Sequence, residues 1–336
     1  MKIEDLRPGD VLLLAGEEGS VLSKLIMLLT GAPVSHAAIT YRDNTELIEE
    51  SPPDLHISNI QERRAGRKIW VKRLKGAHNL GPVLDAGESY LDEGEPYAMS
   101  NLYMVGMILL FRKFTPNSWQ QKAMIAAFKY LAGEVLEFIN QRKSPGKLPM
   151  ICSQFVFQCF KDAGEGYHLE IPEPLLQLPA PGEPAPVPSL LDQVDTHIRS
   201  GEAGELLERP TILGVEVSAR SEDEILQQLL DAFQPLDGER DTAVEGEGIY
   251  DRDTLESARE DNLLQAELVL AVNQFAEGIA QAKTGRAEPP QALQSALQAR
   301  QSPNALTLLQ AEESTFVTPA DLFNRCINLE QVGEIE

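Results

Sequence analysis

Three residues of this chain combine into a nucleophilic chemistry: Cys152, His36 and Glu49. A thiolate attacks a carbonyl, an imidazole carries the proton, and a carboxylate orients the imidazole and steadies its cation. Cys152 follows Pro149-Met150-Ile151 and opens a predicted helix, roughly Cys152 to Ala163. A helix N-terminus offers unpaired N–H groups and partial positive charge. Both favour thiolate, and the same N–H groups can hold an oxyanion. His36 begins a predicted strand, and Glu49 lies on the strand expected to pair with it. Each has a plainer reading alone. Free cysteines are commonly small buried hydrophobes, a lone histidine often just bonds a backbone group, and strand glutamates are mostly solvated. What favours chemistry is the set of three. Its order, His then acid then Cys, is immaterial, because such a site is defined by geometry. Leu47 and Glu49 share one face of their strand and Ile48 and Glu50 the other, so Glu50 stands as the alternative acid.

The elements that must position these residues can be read from periodicity. Asp10 to Ala15 is a short apolar run expected to be a buried strand. Gly19 to Thr30 has helical spacing at Leu22, Leu25, Ile26 and Leu29, and Gly31 and Pro33 end it. Strands are predicted at His36 to Arg42, Glu46 to Glu50 and Lys68 to Leu74, the first two forming a hairpin through Asp43-Asn44. A long helix runs from Asn117 or Ser118 to about Asn140, with Met124, Phe128, Leu131, Val135 and Phe138 on one face. In the Cys152 helix, Phe155, Val156, Cys159 and Phe160 share the face that holds Cys152, and Gly164 stops it.

After Ile171 the character changes. Leu176 to Pro188 is proline-rich and reads as an extended linker. Ser221 with Glu224 forms a capping box that opens a helix to Phe233. Asp253 with Glu256 opens a longer one with a stripe of Leu264, Leu268, Ala271, Phe275 and Ile279, and Pro290 starts a third. Gly238 to Gly248 is acidic and glycine-bearing, the composition of a mobile loop. The last twenty residues regain structure, with Thr318 as a cap and Pro319 at the first helical position.

The chain has 336 residues and a net charge of −23. From Pro181 to Ser314 there are 26 acidic against 9 basic side chains, a net of −17, which leaves −6 for the remainder. The acidity thus belongs to one segment. Nucleic acid is excluded as a partner, because phosphate binding needs basic patches. Three cysteines are too few for a disulfide framework. Met1 to Asp10 is charged and unlike a secretion signal, and Tyr103 to Phe111 is too short to cross a bilayer, so no transmembrane segment is expected. A cytoplasmic protein follows, with export by a signal-independent route left open.

Four stretches resemble the permuted NlpC/P60-type papain-like amidases, specifically the YaeF/YiiX-like group. They are Arg7-Pro8-Gly9-Asp10-Val11-Leu12 with the helix ending Leu28-Leu29-Thr30-Gly31; Val34-Ser35-His36-Ala37-Ala38-Ile39; Leu47-Ile48-Glu49-Glu50 with Val71-Lys72-Arg73-Leu74; and Ile151-Cys152-Ser153-Gln154-Phe155-Val156. The last is similar to the family's Cys-Ser-Glu-Leu-Val, with Gln154 where Glu is usual. Thr318-Pro319-Ala320-Asp321-Leu322 looks like the family's closing element.

The resemblance implies an α+β, circularly permuted papain-like (NlpC/P60) fold over residues 1–175 plus 315–336. Residues 176–314 are then an acidic, proline-rich then helical insertion. It also implies that Cys152 is the nucleophile, His36 the base and Glu49 the third residue, with no cofactor and no metal. Tyr97 would line the pocket. The implied activity is cleavage of amide bonds, with peptidoglycan peptides as one substrate class. Its alternatives are a phospholipid or acyl-ester hydrolase or acyltransferase with the same triad, and a non-catalytic binding module whose acidic insertion docks a protein partner.

The remaining chemistry-bearing residues read more simply. Arg63, Arg64, Arg67, Lys68, Lys72, Arg73 and Lys75 form one basic cluster. It is expected to be a loop and the solvated face of a strand, or else a contact for an anionic substrate. His56, His78, His168 and His197 lack metal-ligand spacing. Met104, Met107, Leu109 and Leu110 read as core, or as a hydrophobic wall beside the cleft.

Overall fold

The computed structural model describes residues 1–51, 54–76, 79–92, 100–112, 115–141, 150–173, 175–176, 189–190, 193, 196, 221–234, 263–276, 278–279 and 317–335, with only the backbone at 100–103 and 136–141. Tyr97, most of the proline-rich stretch, the acidic loop and the helix starts at Asp253 and Pro290 lie outside the described residues.

The protein is α+β. Six strands, β1 (Val11–Ala15), β2 (Val34–Thr40), β3 (Glu46–Ser51), β4 (Asp54–Asn59), β5 (Ile69–Leu74) and β6 (Leu329–Ile335), form one sheet in the order β4-β3-β2-β1-β5-β6. Every neighbouring pair is antiparallel. The β2–β3 hairpin turns through Asp43, whose carboxylate accepts from the backbone N–H and hydroxyl of Thr45, both at 2.9 Å.

β1 is buried on both faces, which explains its unbroken apolar run. Val11 and Leu13 point to one side, where α3 (Gly81–Asp92), α6 (Cys152–Asp162) and α8 (Pro319–Asn324) cover the sheet. Leu12 and Leu14 point to the other, where Ile3, Leu6 and Ile60 of α2 (Ile60–Arg63) complete a smaller cluster. Helix α3 lies close to the sheet at Gly87. A Cβ there would sit 3.3 Å from Ile48 Cδ1 and 3.6 Å from Cys159 Sγ, tight enough that glycine suits the contact.

A second, mostly apolar core joins α1 (Val21–Thr30), α4 (Ser100–Phe111), α5 (Ser118–Gln141), α7 (Glu222–Phe233) and the helical residues 263–276. Helix α1 starts where Ser20 accepts from the Ser23 N–H and stops at Gly31, which adopts φ 68°, a left-handed conformation natural to glycine. Ser221 and Glu224 form the capping box of α7. Phe128 of α5 meets Phe275 with ring centroids 5.7 Å apart. Met104, Met107, Leu109 and Leu110 are at most 1% exposed in this core, so they pack helices together instead of walling a cleft. The described helices of 176–314 bury their apolar faces in this core, α7 against α1 and α5.

Candidate functional site

The site lies where the ends of β1, β2 and β5 meet the start of α6. Leu14 of β1 is opposite His36 of β2 on one side and Ile69 of β5 on the other, and a register shift follows between Leu14 and Ala15. Cys152 opens α6, which packs on β2 and β3 with Phe155, Val156, Cys159 and Phe160 buried. The first turn of α6 is held from two directions. Gln154 Oε1 accepts from the Ile151 N–H at 3.1 Å, and Ser153 Oγ donates to Val317 O at 2.6 Å, just before α8. An amide oxygen can make the Gln154 contact as a carboxylate would, which fits glutamine at this position.

The structure brings together all three of the residues selected from sequence. His36 Nε2 is 2.6 Å from Glu49 Oε2. The Cys152 thiol and the His36 imidazole are close enough to act on each other's charge. Cys152 is 1% exposed, His36 7% and Glu49 0%. The sulfur is nonetheless in polar surroundings, facing the imidazole and the backbone N–H groups of Ala37 and Ser153.

These contacts outweigh burial, which by itself disfavours every charged form here. Burial pushes the Cys152 thiol up, but the His36 charge and hydrogen bond, with the two N–H groups, bring it below the ordinary thiol range. Burial pushes the imidazole down, yet the Cys152 thiolate and then Glu49 raise it to about 9. Glu49, which burial also opposes, is brought to about 2 by His36, Arg63 and Ser58. All three shifts run in the direction that favours a thiolate, an imidazolium and a carboxylate. By contrast Cys326, where burial dominates, has its thiol pushed up.

Glu49 rather than Glu50 meets the imidazole because the strand alternates: Glu49 projects with Leu47, on the His36 side. The carboxylate is enclosed by residues that the sequence reading left out of the site. Arg63 Nη2 donates to Oε2 at 2.9 Å, and its Nε lies 2.8 Å from Oε1. Ser58 Oγ donates to Oε1, and His56, paired with Glu49 across β3 and β4, has Nε2 3.7 Å from Oε1. The usable signal was the alternation of His56 and Ser58 with Leu55 and Ile57, which defines β4 immediately after Pro52-Pro53.

The expected solvated basic cluster is corrected in part. Arg63 reaches Glu49, Arg67 is buried beside Ala15, Lys72 donates to Phe323 O, and Arg73 pairs with buried Asp10 at 2.7 Å. These side chains turn inward because each finds an acceptor at a strand end or helix end. A cavity of about 420 Å³, lined by Arg7, Asp10, Arg42 and Arg73 among others, lies at the opposite end of β1 and β2 from His36. Among the described residues, no group of three or more His, Cys, Asp or Glu side chains could hold a metal ion, and no helix is long and apolar enough to cross a membrane. Compared with models of known protein families and with curated proteins, the chain matches none.

Proposed function

We propose that this protein is a cysteine hydrolase that cleaves amide bonds through an acyl-enzyme, on a circularly permuted papain-like fold of the NlpC/P60 type. The observation that carries this reading is His36 Nε2 at 2.6 Å from the buried carboxylate of Glu49, with the Cys152 thiol coupled electrostatically to the same imidazole. Cys152 Sγ attacks the carbonyl carbon. The Cys152 N–H, at the first helical position with no intrahelical acceptor, faces the developing oxyanion. The C–N bond breaks as the His36 imidazolium gives its proton to the leaving nitrogen. Water then loses a proton to His36, attacks the thioester, and releases the acid with the thiolate restored. Glu49 keeps the imidazole oriented and its cation stable throughout. The family motifs and the antiparallel sheet support the same reading.

Site-mapped labelling with iodoacetamide tests it: Cys152 should react well ahead of Cys159 and Cys326. Preferential labelling of either other cysteine, or of none, overturns it. Muropeptides and phospholipids offered separately decide between amide and acyl-ester cleavage. The amide is expected, and lipid products alone would move the assignment to the ester.

A further inference from the structure

Three arginines around the sheet have a short carboxylate partner. Arg73 is 2.7 Å from Asp10, Arg42 is 2.6 Å from Glu88, and Arg63 is 2.8 Å from Glu49. Arg67 does not. Its side chain is only 6% exposed, and the nearest carboxylate oxygen, on largely exposed Glu17, is 3.7 Å from Nη1. Its one short side-chain hydrogen bond among the described residues runs from Nε to Ala15 O at 2.9 Å. A buried guanidinium is costly unless its charge is compensated.

Its location says what the compensation could be. Ala15 lies between Val34 of β2 and Lys68, to whose carbonyl it donates at 2.8 Å. Arg67 therefore folds over the end of β1, between the strand that carries His36 and the start of β5. Its charge is coupled to those of Arg63 and Glu17 and, more weakly, to those of Glu49 and Cys152. The Nε–Ala15 bond fixes the plane of the guanidinium and leaves the Nη edge for a planar oxyanion.

We propose that Arg67 forms an anion subsite beside Cys152, which takes a carboxylate or phosphate group of the substrate next to the bond that is cut. This rests on the cysteine-hydrolase reading and narrows its substrates to anionic acyl compounds.

Two alkylating reagents of nearly equal size, iodoacetate and neutral iodoacetamide, test the subsite without a known substrate. In the unsubstituted protein, Cys152 should react faster with iodoacetate. Arg67→Gln should slow iodoacetate about tenfold more than it slows iodoacetamide, the scale of one charge-assisted hydrogen bond. Arg67→Lys should keep most of the preference, because charge persists while the fork is lost. Equal loss with both reagents in Arg67→Gln makes Arg67 a structural residue and overturns the subsite alone. Failure of either reagent to favour Cys152 in the unsubstituted protein overturns the hydrolase reading as well. Should Arg67→Gln not fold, inorganic phosphate added to the unsubstituted protein decides instead: it should slow iodoacetate selectively, and equal slowing or none overturns the subsite.

The source of the anion follows from paired substrates. One pair is a peptide with a carboxylate beside the scissile amide and its neutral carboxamide. The other is phosphatidylglycerol and a neutral acylglycerol. The pair whose charged member loses its advantage in Arg67→Gln names the source, and an advantage unchanged in both pairs overturns the proposal.

Discussion

The sheet and the helical layer bury very different things. The core of α1, α4, α5, α7 and residues 263–276 is built from Leu, Ile, Val, Met, Ala and Phe. The sheet and the helices on it also bury Asp10, His36, Glu49, Glu50, Arg67, Lys72 and Asp321. An apolar core gains stability in proportion to the area removed from water. A buried charge adds little net stability, and is worth retaining where position and protonation state matter. One region gains stability from apolar burial, and the other holds charged groups in fixed positions.

Substitutions on either side can break that division. Cys152→Ala should abolish turnover and iodoacetamide labelling at this site while the melting curve barely moves. A large drop in melting temperature would make the thiol a packing residue. Glu49→Gln should lower turnover on the order of 10²–10⁴-fold, the usual range for losing acid–base support. It should also destabilise the protein by about 3 kcal/mol, because Arg63 loses its partner. Denaturant titration beside a rate assay separates the two effects. In the helical layer the expectation reverses. Phe128→Ala should cost about 3–5 kcal/mol of stability, with the Cys152 labelling rate unchanged below the unfolding transition. A changed rate would mean that the two cores are coupled.

The pH dependence sharpens the comparison. His36 is raised to about 9 from an ordinary 6.5, so its contribution is complete below about 6.5 and lost as pH rises through about 9. Glu49 is lowered to about 2 from 4.5, so its contribution is complete above about 4.5 and lost as pH falls towards 2. Both contributions are complete between about 4.5 and 6.5. Iodoacetamide labelling of Cys152 should rise at lower pH than an ordinary thiol, with a second inflection near 9 that Glu49→Gln moves down. A single inflection in the ordinary thiol range would mean no ion pair. The smallest effect belongs to Ser221→Ala at the start of α7. Loss of this cap should cost about 1 kcal/mol and leave the labelling profile untouched.

Much of this arrangement was legible in the sequence. Helical spacing defined α1, α5, α6 and α7 within a few residues, and the Asp43-Asn44 turn joined β2 to β3. Cys152 was readable because it begins a helix whose buried stripe is plain. The acid was harder, since alternation separates Glu49 from Glu50 without saying which face holds His36. β4 was missed because Pro52-Pro53 reads as a break, although the strand resumes at Asp54. β6 was missed because its burial is uneven: Leu329 and Ile335 are buried while Glu330 and Gln331 are exposed. The inward turn of Arg63 and Arg67 is a tertiary fact. Their spacing is that of any solvated basic run, and only acceptors distant in the chain, on β3 and β1, draw them in.

The bond from Ser153 to Val317 spans 164 positions of the chain. Contacts so distant form late, since the intervening loop must first be closed. During synthesis the helix that Cys152 opens emerges long before its brace does. A nascent chain would therefore carry Cys152 without the Ser153–Val317 bond until residue 317 has left the ribosome.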